Sequence, residues 1–263
     1  VIVLAGDIVH AKTDMTPEVV EMTQTFLKNL SDMLPTILIP GNHDANLNNP
    51  SRLDALSPIV NALNHRNLHY LKDSGVWDMG GISFVHSSVF DECKEIISAD
   101  KVDGNYKIGL FHGPVDRVKT EYGFAISNKS VNVESFDGYD LVLLGDIHVP
   151  NQSLIDDGTI KYCGSTIMQN HSEAKCPDHG LLVWDVDTKQ SEFVPIHNDY
   201  GYVTIDIDDG KIVGNPNIPN KPRMRVRVKN TPQSKLKKIL STIRLGRKVQ
   251  EVAIQKIITD TKE

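Results

Sequence analysis

The sequence has little that would tie a protein to a membrane or staple it outside a cell. No uninterrupted apolar run in its 263 residues approaches the roughly 20 needed to span a bilayer, and no basic-then-apolar leader opens it. Cysteine is scarce: Cys93, Cys163 and Cys176 are odd in number, scattered, and form no C-x-x-C pair. This excludes a disulfide framework and reads as a reducing, cytoplasmic setting with buried or inert thiols. Aromatics make up only 6% of the chain, and its two tryptophans, Trp77 and Trp184, fall in apolar segments where they read as core. There is no repeat and no low-complexity tract. The chain also lacks an initiating methionine and opens inside an apolar run, which reads as the loss of an N-terminal segment.

Acid is missing from one stretch. The net charge is −6, yet residues 221–248 hold eleven Lys or Arg and no Asp or Glu. Residues 221–263 carry +10 in all, which leaves −16 on residues 1–220. Such asymmetry predicts two modules, one concentrating carboxylates and one suited to a polyanion. The Asp-, Gly-, Asn- and Pro-rich segment 198–222 places the boundary, giving domains 1–197 and 198–263. With 40% hydrophobic residues, the chain can bury one large core and one small one.

The apolar patterning predicts an α/β architecture. Residues 1–5 are an apolar, β-branched run without alternation, the mark of a strand covered on both faces. A helix over 17–34, opened by Thr16-Pro17, and a second buried strand at 36–39 complete a βαβ unit. A further helix is expected at Leu53–Leu63, strands near 68–71, 75–79, 82–86, 107–111 and 140–144, a weaker helix at 91–97, and hairpin-like segments at 153–163 and 181–195. The sum is two packed sheets flanked by helices, followed by a small α+β domain. In that domain Arg223, Arg225, Arg227 and Lys229 alternate with apolar residues, so a strand puts every basic group on one face. Leu236, Ile239, Leu240 and Ile243 then line a helix that carries Lys235 and Lys238 on its other sides.

Four of the strands end in polar signatures: GDIVH at Asp7, GNHD at Asn42 and His43, FHG at His112, and GDIH at Asp146 and His148. Each has a glycine beside the polar group, as close backbone approach requires. In a βαβ unit the carboxyl ends of the strands share one edge, where ligands of open α/β sheets bind. Asp, Asn and His converging there offer mixed oxygen and imidazole donors, the set expected for Mn, Fe or Zn.

The four signatures in this order resemble the calcineurin-like metallophosphoesterases, whose motifs run D-x-H, G-D, G-N-H-[DE], H and G-H-x-H. The resemblance covers roughly residues 1–170. It implies that Asp7 bridges two metals, that Asn42 and His112 bind the second, and that His148 binds the first. Asp146 stands where the family usually has His and is kept as a ligand. No D-x-H precedes GDIVH, so the βα segment bearing the first motif reads as missing and the first metal is expected to be held poorly. The segments GDIVHAKTDMTPE and YCGSTIMQ look like the SbcD-type nuclease branch, including the recombination endonuclease subunit of large phages, for which the compartment would be the host cytoplasm. There a Gly-Ser, here Gly164-Ser165, follows the last motif.

By that resemblance the chain is expected to be a 3′-to-5′ exonuclease and endonuclease using two divalent ions, with Mn2+ the usual choice. Two metals roughly 3.5–4 Å apart activate water for in-line attack on a phosphodiester. His43 would stabilise the transition state and protonate the departing oxygen. His10 matches a histidine that positions the scissile phosphate, and reads equally as a partner that orients a ligand. Arg223, Arg225, Arg227, Lys229, Lys235 and Lys238 would meet the DNA backbone without reading its sequence. The implied partners are DNA, an SMC-like ATPase of the SbcC type and a second copy of the chain, with no membrane. Two alternatives stay open: a phosphoesterase acting on a small molecule or phosphoprotein, and a non-catalytic scaffold. His86 reads as a structural histidine; His65 and His69 lie in polar turns, and His171, His179 and His197 lack ligand spacing.

Overall fold

The structure is a computed structural model. It describes residues 1–257 except 12, 50–51, 92–94, 121, 126–130 and 177. The chain divides into two compact units, residues 1–164 with 182–193, and residues 165–181 with 194–263.

In the first unit β1 (Ile2–Leu4), α1 (Pro17–Met33) and β2 (Thr36–Leu38) form the βαβ unit that the patterning predicts. The two strands are parallel, with Ile2 opposite Thr36 and Leu4 opposite Leu38. Thr16 caps α1 by accepting the Val19 N–H, and Pro17 supplies the first turn, where a missing N–H costs nothing. The helix α2 (Ser57–Leu63) starts four residues later than expected. The Asp54 carboxylate accepts the N–H groups of Leu56 and Ser57, so residues 53–56 form a capping turn rather than helix. β3 (Leu68–Tyr70) adds in parallel to β2 and completes a three-stranded sheet.

A second, six-stranded sheet contains β4 (Gly75–Met79), β5 (Ile82–Ser87), β6 (Lys107–His112), β7 (Leu141–Gly145), β8 (Gln152–Ser153) and β9 (Ile160–Tyr162), in the order β4-β5-β6-β7-β9-β8. Of the helix expected at 91–97, residues 92–94 lie outside the described residues and 95–97 are not helical; the Ile97 N–H donates to Ser87 Oγ instead. β10 (Gly180–Asp185) and β11 (Gln190–Pro195) form a separate ribbon.

Alternation along the strands sorts the apolar residues into layers. Ile37 and Ile39 of the first sheet face Phe84, Ile108, Leu110 and Leu141 of the second, and this is the core between the sheets; Trp77 and Trp184 pack against it. Leu38 points the other way, to Leu27 of α1 and Ile59 of α2. Phe111, Val142 and Leu144 turn to the far face of the second sheet, covered by Val115, Val118, Val133 and Phe136. Both sheets are therefore apolar on both faces, which explains the unbroken hydrophobic runs and leaves polar groups to the strand ends.

The second unit contains β12 (Tyr200–Asp208), β13 (Lys211–Ile212), β14 (Lys221–Lys229), α3 (Gln233–Gly246) and β15 (Glu251–Lys256), with sheet order β13-β12-β14-β15. Met224, Val226 and Val228 meet Leu236, Leu240 and Ile243 of α3, so β14, α3 and β15 repeat the βαβ logic on a smaller core. Cys163 and Cys176 are not in disulfides, and burial pushes the Cys163 thiol up; Cys93 lies outside the described residues. Among the described residues no helix is long and apolar enough to cross a membrane.

One side chain anchors the turn after β6. The buried Tyr162 hydroxyl accepts the Val115 N–H and donates to the Gly113 carbonyl, both at 2.8 Å. Tyr162→Phe strands both backbone groups, so it should lower the unfolding free energy in urea by about 1–3 kcal/mol; an unchanged urea midpoint would show that these bonds hold nothing.

Candidate metal centre

The turns after β1, β2 and β7 carry Asp7, Asn42 and Asp146, β6 ends in His112, and the structure brings all four together. Asp7, His112 and Asp146 each offer a ligand atom within 4.8 Å of the others. His112 Nε2 lies 3.3 Å from Asp7 Oδ2, 3.7 Å from Asp146 Oδ1 and 3.1 Å from Asn42 Oδ1. Its other nitrogen, Nδ1, bonds the Ala5 carbonyl at 2.6 Å. A carbonyl can only accept, so the proton sits on Nδ1 and the Nε2 lone pair faces the cluster.

Glycine is required where the turns crowd. A Cβ on Gly41 would collide with the Asp7 carboxylate, and one on Gly145 with the Ala5 carbonyl oxygen. Asp7 and Asp146 take left-handed backbone angles, φ 56° and φ 89°. Asp tolerates that region better than most residues, and strain of this kind is held in place only by surrounding structure.

Much of that structure is Asp44, the last residue of GNHD. Its buried carboxylate accepts the Asp7 N–H (2.8 Å), the Gly41 N–H (2.8 Å) and the Val9 N–H (3.0 Å). In return Asp7 Oδ1 accepts the His43 N–H at 2.8 Å. The first two turns are thus clamped reciprocally. The sequence pattern alone assigns Asp44 no role; its signal is the acid that closes the GNHD motif.

The electrostatics are those of a site short of positive charge. Burial raises the Asp7 carboxyl, but the hydrogen bond and charge of His112 and the His43 N–H outweigh it and hold the group below its usual value. Asp146 is pushed up by burial and by the Asp7 charge, against the pull of His112, His148 and His43. Burial lowers His112, yet its bond to Asp7, the Asp7 charge, the Ala5 carbonyl and Asp146 together raise it. Asn42 Oδ1 also stands 3.2 and 3.3 Å from the Asp7 oxygens, lone pair against lone pair. A rotated amide relieves this by donating to the same atoms; a cation between them relieves it with the oxygen facing inward.

The remaining histidines divide clearly. His43 stacks on His10 with ring centroids 4.7 Å apart, and its Nδ1 bonds the His10 carbonyl at 3.2 Å. His148 is half-buried two residues beyond Asp146 and outside the 4.8 Å group. His86 is fully buried with Nδ1 on the Asp73 carbonyl, and burial lowers it to about 4, as fits a structural histidine. Ser165 Oγ bonds the buried His179 Nδ1 at 2.8 Å, within the second unit.

The six basic residues named from the sequence do not share a surface. Arg223, Arg225, Arg227 and Lys229 lie on the face of β14 opposite α3, whereas Lys235 and Lys238 are exposed on α3 itself. Two of the arginines are also engaged across the sheet. Arg227 makes a bidentate pair with Asp206 at 2.6 Å, and Arg223 reaches Glu251 at 3.3 Å.

A family model for calcineurin-like phosphoesterases matches residues 1–150, the stretch that contains all four turns. The chain belongs to this family. Among curated proteins, this phosphoesterase is 41% identical over 263 residues to "Uncharacterized protein R555" of Acanthamoeba polyphaga mimivirus, covering 96% of this chain and 19% of that protein. It is 29% identical over 191 residues to "DNA double-strand break repair protein Mre11" of Haloferax volcanii, covering 71% of this chain and 40% of that protein. The chain thus spans about a fifth and two fifths of these relatives' lengths. Calcineurin-like phosphoesterases bind divalent metals, and the donors fit one: an imidazole with its lone pair inward, an amide that can turn its oxygen inward and two carboxylates in need of positive charge.

Asp44 gives the phosphoesterase a pH signature. Burial, helped by the Asp7 charge, pushes its carboxyl up to about 6 from 3.8, despite the Val9 and Gly41 N–H bonds. The folded state therefore keeps a proton that the unfolded chain has lost, and the stability it contributes at acid pH fades as pH rises from about 4 to 6, by on the order of 3 kcal/mol. In chelator, Asp44→Asn should be less stable throughout, because one N–H loses its acceptor, and its stability should be flatter over that window. An unaltered pH slope in urea melts would contradict this.

Proposed function

We propose that this chain is the catalytic part of a metal-dependent DNA nuclease that hydrolyses phosphodiesters, with 3′-to-5′ exonuclease and endonuclease action. The observation that carries the proposal is the convergence of Asp7, Asn42, His112 and Asp146 beside a histidine, His43, that is not needed as a ligand. The likeness to a protein named for DNA double-strand break repair supports DNA as the substrate.

Held by Asp7, Asn42, His112 and Asp146, with His148 assigned to the other ion of a pair, divalent metal supplies Lewis acidity toward a phosphoryl oxygen and lowers the pKa of water. Mn2+ is the ion the proposal favours. The protein's own part is positional. The His43 N–H fixes the Asp7 carboxylate, while the His10 carbonyl holds the His43 Nδ1 proton. That leaves Nε2 as the atom from which the ring, in its imidazolium form, gives a proton to the departing oxygen and returns to neutral. His10, stacked on it, positions both ring and phosphate.

Residues 1–197 are proposed as the catalytic domain and 198–263 as a basic cap that meets the phosphate backbone. A homodimer is supported by α1, where Val19, Met22, Phe26 and Met33 leave an apolar stripe in solvent; Met22 and Met33 are each 71% exposed. An SMC-like ATPase is the proposed partner by family resemblance, and the odd number of scattered cysteines supports a cytoplasmic setting. The neutralised Arg223 and Arg227 favour a second reading, a phosphoesterase for small substrates.

A single comparison separates the two readings. The full-length protein with Mn2+ should degrade linear duplex DNA, and His43→Ala should lower the rate at least about 100-fold with little change in metal affinity. Its affinity for DNA should fall as salt rises, by about 0.9 log units per log unit of salt for each phosphate neutralised. Cleavage of model phosphomonoesters with none of DNA, or DNA binding indifferent to salt, would refute the nuclease proposal.

A further inference from the structure

The donor set is harder than the family pattern. Where the resemblance leads one to expect imidazole, this chain presents Asp146, and the backbone is arranged to use it. β7 ends at Gly145, and the left-handed turn at Asp146, φ 89°, aims the carboxylate back across the strand ends. Its Oδ1 comes to 3.7 Å from His112 Nε2, inside the group that includes Asp7. With the Asn42 amide oxygen turned inward, 3.1 Å from the same nitrogen, the cluster offers three oxygens and one nitrogen, two of the oxygens anionic.

Charge and softness then point the same way. Two carboxylates sharing one half-buried site repel each other, and a dication cancels both charges, whereas with a neutral imidazole in place of Asp146 one positive charge of the cation would stay unmatched. Mg2+ and Mn2+ bind chiefly through oxygen, whereas Zn2+ and Fe2+ gain more from imidazole. We propose that Asp146 sets the ion selectivity of this centre, turning it toward hard, oxygen-seeking Mg2+ and Mn2+ and away from Zn2+. The proposal rests on the metal-centre reading of the four turns.

Metal affinity of the full chain, read by calorimetry with Mg2+, Mn2+ or Zn2+ alone, tests it without reference to turnover. Three variants are compared: Asp146→Asn, Asp146→His and His112→Ala, each checked for native circular dichroism. Asn keeps an oxygen and tolerates positive φ, so it isolates the charge. Asp146→Asn should lose about tenfold or more in Mg2+ and Mn2+ affinity, and no more than about threefold for Zn2+. Asp146→His should shift the Zn2+-over-Mn2+ preference upward at least about tenfold. If a natively folded Asp146→Asn binds all three ions as the unaltered chain does, or Asp146→His keeps the original preference within about twofold, the selectivity role is overturned while the metal centre stands. If the unaltered chain binds no ion more tightly than His112→Ala, the metal-centre reading itself fails, and the selectivity role with it.

Discussion

A single buried carboxylate holds the two turns on which the rest depends. Asp44 takes the backbone N–H groups of Asp7, Val9 and Gly41, so the ends of β1 and β2 cannot separate without stranding a charge in the interior. The clamp works only because Gly41 has no side chain where the Asp7 carboxylate lies. Strand pairing supplies the coarse alignment, with Leu4 opposite Leu38 and His112 opposite Gly145. The clamp supplies the final ångström.

Once the turns are locked, their polar groups have nowhere to go but toward one another. Asp7, Asp146, Asn42 and the unprotonated face of His112 make a cluster rich in lone pairs and poor in protons. Without a cation, Asp7 and Asp146 raise His112 against its burial, and His112 with the His43 N–H in turn holds Asp7 low. A cation competes with protons for the same carboxylate and imidazole lone pairs, so loading should be favoured by alkaline pH. The same arrangement keeps His43 beside the cluster and outside it.

The βαβ frame was legible because it rests on local signals: an unbroken β-branched run, a Thr-Pro helix start, and polar residues at strand ends. The four turns were legible for the same reason. Asp44 went unassigned because its role is long-range, a carboxylate serving N–H groups some 37 residues away. Alternation in β14 correctly predicts which residues share a face, yet it cannot show what stands on the neighbouring strands. Asp206 and Glu251, 21 residues before Arg227 and 28 after Arg223, turn part of a basic stripe into cross-strand ion pairs. Likewise, the passage of residues 165–181 into the second unit leaves no mark in composition.

The central claim is that these four turns make one cation site, and anomalous diffraction from crystals soaked in Mn2+ tests it most directly. The account predicts a peak bounded by Asp7, Asn42, His112 Nε2 and Asp146, about 2.0–2.5 Å from each ligating atom, with the Asn42 oxygen inward. A peak elsewhere only, or an empty cluster with the Asn42 nitrogen turned in to bridge Asp7 and His112, would contradict it.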